Sequence, residues 1–269
     1  MDNEQSGQAP AHHELIRIAG SAGARRHFRY FDYMMAAFVA ILLLSNLIGA
    51  AKTATLGGWT FGAGILFFPV SYVLGDVLTE VYGYANARRC VWAGFFALIF
   101  MAFMSLVVVA MPPKADWWCA SADAPMFAAA KAQFGSGAIC QSTYESVFGS
   151  TWRIVLASVI AFWAGEFVNS FVMAKMKIWT GGKYLFTRTW GSTIFGQAVD
   201  SLLFYPIAFA GIWSFDTLLG VILFNWGFKI TVEIVMTPLT YTIVNWLKRM
   251  ESEDFYDIQT DFTPFSLKV

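Results

Sequence analysis

The sequence predicts an all-α, polytopic membrane protein with six transmembrane helices and both termini in the cytoplasm. Three observations lead there. Hydrophobic residues fill 57% of the 269 positions and charged residues only 13%, whereas a soluble domain carries roughly 25% charged residues. The apolar residues gather into runs of about 20, the length a helix needs to cross ~30 Å of hydrocarbon. Lysine and arginine fall mainly on alternate connections between those runs.

Residues 1–28 are polar, with Gly and Ala but no apolar signal-peptide core, and read as a disordered cytoplasmic tail. The membrane domain follows over 29–250. Apolar runs place helices near 31–51, 62–84, 91–111, 154–176, 191–213 and 217–247. The last is long for one span, so it tilts or projects, with Pro238 as its kink candidate. Between the third and fourth lies an extracytoplasmic loop, 112–153. It opens on Pro112-Pro113 and carries an Ala-rich stretch, 124–134, expected as a short helix on the outer face. Cys119 and Cys140 share this loop and form the candidate disulfide, since the outer compartment is oxidising. Residues 251–269 are read as a cytoplasmic C-terminal tail.

With the N-terminus inside, the inner segments hold thirteen basic residues: Arg17, Arg25, Arg26, Arg29, Arg88, Arg89, Lys175, Lys177, Lys183, Arg188, Lys248, Arg249 and Lys268. The outer segments hold four, Lys52, Lys114, Lys131 and Arg153. That asymmetry sets the orientation. Most tryptophans fall at predicted span ends, where amphipathic rings favour the interface. Trp163 and Trp226 are exceptions, each three residues before a charged group and therefore on its helix face.

Six charged side chains lie inside otherwise apolar stretches: Asp76, Glu80, Glu166, Asp200, Lys229 and Glu233. Each costs about 2.5–3.5 kcal/mol near a bilayer centre and therefore faces a bundle interior or a wet cavity. Three segments share a pattern, G-D-V-L-T-E (75–80), G-E-F-V-N-S (165–170) and G-Q-A-V-D-S (196–201). In each, a Gly allows close helix approach and two polar groups share one face. The resulting set is Asn46, Asp76, Glu80, Glu166, Asn169, Gln197, Asp200, Lys229 and Glu233, with Trp163 and Trp226 as stacking surfaces. Interhelical hydrogen bonding alone is the plainer explanation. Ionisable groups on four helices favour a shared polar cavity. Acids and amides beside aromatic rings suit a planar, donor-rich heterocycle or a small cation, and suit anions poorly. Within the set, Glu166 and Asp200 are the expected ligand contacts. Asp76 and Glu80, nearer the cytoplasmic end, suit a gate or a proton site.

Other classes are weaker. His12, His13 and His27 all lie in the N-terminal tail and no Cys/His cluster has ligand spacing, so neither a metal nor a cofactor is expected. No G-x-x-x-x-G-K-[ST] loop occurs, which removes P-loop ATP hydrolysis by this chain. An intramembrane enzyme would have to rest on Asp76 with Asp200. Net charge is zero, so no nucleic-acid partner is expected. The expected partners are a planar heterocycle and the lipid bilayer, with a homodimer left open.

Residues 68–89, F-P-V-S-Y-V-L-G-D-V-L-T-E-V-Y-G-Y-A-N-A-R-R, resemble the signature of the queuosine precursor transporter family, also called the vitamin uptake transporter family. Ser45-Asn46 with Lys52, R-T-W-G-S-T-I-F-G-Q-A-V-D-S (188–201) and D-F-Y-D-I-Q-T-D-F-T-P-F (254–265) resemble further family segments. The resemblance implies uptake, across a bacterial inner membrane, of 7-deazaguanine bases used to make the queuosine modification of tRNA. The N-terminal extension and the 112–153 loop depart from the family pattern.

Overall fold

The computed structural model describes residues 28–49, 53–56, 59–62, 66–112, 132, 141–149, 152–211, 214–252, 254–258 and 260–266. The expectations for residues 1–27, the 124–134 helix and the Cys119–Cys140 disulfide lie outside, or almost wholly outside, these residues. Seven α-helices are described: α1 (Phe31–Leu44), α2 (Phe68–Tyr82), α3 (Tyr84–Ala110), α4 (Gln141–Phe148), α5 (Trp152–Trp179), α6 (Leu185–Phe209) and α7 (Phe215–Glu251). Four stretches are long and apolar enough to cross a membrane, namely Phe31–Ile48, Tyr84–Ala110, Leu156–Trp179 and Leu218–Glu251.

Several boundaries differ from the sequence reading. The α-helix of the first span gives way at Ser45 to a π-helical turn, Ser45–Gly49, and residues 50 and 51 of the expected span lie outside the described residues. A two-stranded antiparallel hairpin follows, β1 (Thr53–Leu56) on β2 (Trp59–Gly62). The β-branched and aromatic residues on either side of Gly57-Gly58 suit that pairing. Helix 2 therefore starts at Phe68 rather than 62, and its Pro69 occupies the first turn, where a missing N–H costs nothing.

Helix 3 begins at Tyr84 instead of 91, straight after a sharp turn at Gly83, whose φ is +82°. A side chain would be strained there and would collide with the Phe255 ring. The helix expected from 191 begins at Leu185, as α6, and so takes in Arg188, which the sequence reading left at a loop edge. Inside the 112–153 loop, α4 was unforeseen. It is tied back to α3 by Gln141 Nε2 donating to the Val109 carbonyl at 3.1 Å.

The centre of the bundle is α2, buried on every side from Tyr72 to Tyr82. Around it α1, α3, α5, α6 and α7 each pack against the next. The ring closes where Glu251 at the end of α7 accepts hydrogen bonds from the backbone of Arg29 and Tyr30, at 2.9 and 2.7 Å. The apolar core lies between α1, α2 and α7, with Phe38, Val77, Leu78, Val81, Tyr82 and Leu247 wholly buried. Where α5 crosses α6 the backbones nearly touch. A Cβ on Gly165 would sit 3.2 Å from the Gly196 carbonyl, and one on Gly196 only 2.8 Å from Asn169 Cβ. That close approach is the packing mode small residues provide in lipid. It also brings the polar groups following both glycines face to face.

Candidate functional site

Polar side chains run along α2 in layers. Towards the start of the helix, Lys229 of α7 forms an ion pair with Asp200 of α6 at 2.5 Å. The same Lys229 Nζ lies 5.0 Å above the Phe68 ring, and Phe68 stacks on Tyr72 with centroids 6.0 Å apart. Glu166 of α5 lies within electrostatic range of both Asp200 and Lys229. Its Oε2 covers Gly75, 3.4 Å from where a Cβ would be, so α2 is bare backbone beneath that carboxyl.

One turn on, Asp76 of α2 and Glu233 of α7 bring their carboxyls into direct interaction range. Asn169 Nδ2 reaches Asp76 Oδ1 at 3.4 Å, a weak contact by length. Asp76 Oδ2, both Glu233 oxygens, Asn169 Oδ1, Gln197 Oε1, Ser201 Oγ and the Tyr72 hydroxyl are all buried without a well-formed hydrogen bond. Buried polar atoms are nearly always satisfied, and each orphan costs about 1–3 kcal/mol. A concentration of them between four helices is where a ligand would supply the missing partners. Apart from the two hydroxyls, every orphan in this group is an acceptor.

A further turn on, the chemistry reverses. Glu80 accepts Arg188 Nε at 3.2 Å and Nη2 at 2.7 Å, and Lys248 Nζ at 2.8 Å; Lys177 Nζ is 3.4 Å away. Lys177 also donates to the Glu80 backbone carbonyl at 2.7 Å, and Asp254 bridges Lys177 and Lys248 at 2.7 and 2.8 Å. Between the two layers, Thr79 Oγ1 donates to the Gly75 carbonyl and contacts Ser170 Oγ at 3.1 Å.

The C-terminal tail seals this end. Asp257 caps α3, accepting from Tyr84 N at 3.0 Å and from Thr260 Oγ1 at 2.7 Å. Arg88 Nη1 donates to the carbonyls of Asp261 and Thr263 at 2.7 and 2.8 Å, and Trp92 Nε1 to that of Pro264 at 2.8 Å. Lys175 rests 3.8 Å over the Phe262 ring. Burial raises Asp254, but Lys177 and Lys248 outweigh it and hold the carboxyl below its ordinary range. Asp257 is pushed up, because burial outweighs its hydrogen bonds to Tyr84 and Thr260.

The structure therefore brings Asp76, Glu166, Asn169, Gln197, Asp200, Lys229 and Glu233 into neighbouring layers of one bundle interior. It places four others differently. Glu80 is enclosed by three cations. Asn46 sits at the α1–α5 contact, where Ser158 Oγ donates to its Oδ1 at 2.8 Å. Trp163 joins an aromatic cluster with Trp92, Phe167 and Phe265. Trp226 donates from Nε1 to the Ile194 carbonyl at 3.0 Å. The aromatic pair beside the Lys229–Asp200 ion pair is instead Phe68 with Tyr72. Phe68 was missed because a Phe inside an apolar run carries no polar signal.

The family described as "Putative vitamin uptake transporter" matches residues 62–243, more than half of the chain. A Bacillus subtilis (strain 168) protein named "Probable queuosine precursor transporter" is 29% identical over 191 residues, covering 71% of this chain and 74% of that protein. No solved structure matches the chain. With apolar helices of spanning length and this match across most of its helical core, the chain belongs to the vitamin uptake transporter family.

Proposed function

We propose that the protein imports 7-deazaguanine precursors of queuosine, such as the 7-cyano and 7-aminomethyl bases, across a bacterial inner membrane. Import proceeds without ATP hydrolysis by this chain and is coupled to protons. In this reading α2 and α6 complete six spans with α1, α3, α5 and α7, and both termini are cytoplasmic. The single observation that carries the substrate assignment is the pair of buried, unpartnered amide acceptors, Asn169 Oδ1 on α5 and Gln197 Oε1 on α6, each one turn from a carboxyl, Glu166 and Asp200. A guanine-like edge presents N1–H and N2–H₂ donors side by side, so a carboxylate can take both in charge-assisted bonds. Glu166, over the bare backbone of Gly75, is the carboxylate positioned for that edge. Asp200, held by Lys229, fixes the polarity beside it. Phe68 and Tyr72 offer the flat apolar surface. The name of the Bacillus subtilis relative supports the same substrate class, while the family's description leaves another planar vitamin as the second reading.

Binding of 7-cyano- and 7-aminomethyl-7-deazaguanine to the purified protein tests the assignment. Saturable binding of either base, with hypoxanthine-type analogues lacking the N2 amine binding at least about tenfold more weakly, is the expected result. No binding of either base, or equal binding of the analogues, would remove it. Reporter fusions after Ser136 and after Gly182 should report opposite sides of the membrane.

A further inference from the structure

We infer that Asp76 and Glu233 are the proton-coupling site of the transporter, a unit separate from the Glu166, Asp200 and Lys229 group that reads the substrate. The inference rests on the transport reading above and assigns its driving ion to particular atoms.

The two carboxyls come from α2 and α7, which pack against each other; they are completely enclosed (1% and 0% exposed), keep oxygens with no hydrogen-bond partner, and interact electrostatically with one another. Like charges that close, shielded from water, do not both ionise, so the pair holds a proton between them. Among the described residues, the groups facing the pair add no positive charge. Asn169 of α5 contacts Asp76, Glu166 of α5 adds a further acid, and Tyr72 of α2 brings a hydroxyl within range of Glu233. Lys229, one turn before Glu233 on α7, is committed to Asp200 on α6. Asn169 is itself more than nine-tenths buried, and its Oδ1 has no partner. An amide held this way offers an acceptor to whatever enters beside the carboxyls.

The surroundings explain why this pair can change charge while its neighbour Glu80 cannot. Glu80 is locked as an anion by Arg188, Lys177 and Lys248. Among the described residues, nothing comparable fixes the charge of Asp76 and Glu233. A proton bound there cancels one buried charge outright, so the substrate-loaded protein changes its facing with the pair protonated, and without the proton an extra buried charge opposes that change. Per substrate carried, one proton is taken from the outer side onto the pair and one is delivered to the cytoplasmic side.

The test uses the full chain in proteoliposomes with labelled 7-cyano-7-deazaguanine as probe. A pH gradient of one unit, acid outside, supports about tenfold accumulation for one proton per substrate. The wild type should approach that and lose it when a protonophore is added. Asp76→Asn and Glu233→Gln should equilibrate the base across the membrane without accumulating it. Accumulation retained in both variants, or driven by a sodium gradient and indifferent to pH, overturns the inference. A wild type that neither binds nor equilibrates the base defeats the substrate reading instead. The coupling site is then read directly from the infrared spectrum of the purified wild type. A protonated-carboxyl band that titrates with pH, and is absent from the Asp76→Asn/Glu233→Gln double variant, is expected. Its absence from the wild type also overturns the inference.

Discussion

Asp76 and Glu80 are both acids, both wholly buried, and one helical turn apart on α2, yet their surroundings are opposite. Around Glu80, two helices besides α6 and the C-terminal tail contribute Lys177, Lys248 and Asp254, while α6 contributes Arg188 in a two-point grip. Around Asp76 the neighbours are another carboxyl, an amide and a second acid. A buried carboxylate surrounded by cations is a structural joint. A buried carboxyl beside acceptors is an incomplete site awaiting a donor, and its cost to stability signals a use elsewhere. The layers of Thr79 and Ser170 keep the two apart by only one turn. Identical chemistry in the sequence thus yields a fastener and a binding element within about 6 Å along one helix.

The largest effect that would break this comparison is at Glu80. Glu80→Ala leaves Arg188, Lys177 and Lys248 buried together with only Asp254 as counter-charge, and removing one partner of a buried ion cluster costs about 3–5 kcal/mol. The matched change Asp76→Asn removes a carboxyl without stranding a cation, so it should alter stability by no more than about 1 kcal/mol. Thermal unfolding of both variants in detergent decides between them. Similar losses at both sites would show that the two acids do the same structural work.

The next effect concerns recognition. Glu166→Gln keeps the shape over Gly75 but sets an N–H₂ where the deazaguanine edge also presents donors. That mismatch costs about 1–3 kcal/mol, roughly ten- to a hundred-fold in affinity. Asp200→Asn should weaken binding similarly, by at least about tenfold, and in addition frees Lys229. Titration of the purified variants with 7-cyano-7-deazaguanine measures both. Unchanged affinity in the two variants would move recognition of the ring edge to Asp76 or Glu233.

How far these regions could be read from the chain alone follows from where their partners lie. The acids on α2, α5, α6 and α7 were visible because each interrupts an apolar run, and the glycines before them marked the faces that meet. The difference between Asp76 and Glu80 was not visible, since it depends on Lys177, Arg188 and Lys248, more than ninety residues away in sequence. Those three looked like loop or span-end charges counted for orientation, because hydropathy says nothing about whether a basic residue near a helix end turns inward. The hairpin 53–62 was hidden for another reason. Two four-residue strands between long apolar runs give too short a period-two signal to stand out. The tail motif 254–265 was noticed only as a resemblance; its role needed the folded contacts of Asp254, Asp257 and Phe262.

The smallest effect tests whether the Glu80 joint extends into the tail. Asp254 ties the tail to the bundle by ion pairs, bridging Lys177 and Lys248. Its carboxyl is half exposed, with 44% of the side chain accessible, so the gain is that of a partly screened pair, about 0.5–1 kcal/mol. Its docked pKa lies below the free value, despite burial, because of the two lysines. The contribution is therefore complete above the ordinary Asp range, near about 3.9, and disappears as pH falls through the lower docked value. Asp257 runs the other way. Burial raises it, so its own titration favours docking below the ordinary range and ceases to do so as pH rises through the docked value. Pepsin cleavage within 254–266 should accelerate as pH drops below about 4 in the wild type. In Asp254→Asn the cleavage should already be fast above that point, and high salt should have little further effect on it. Cleavage that is equally slow in the variant, with the acid dependence intact, would assign tail docking to Asp257, Arg88 and the aromatic contacts of Phe262 and Phe265, and would confine the ionic joint to the helices.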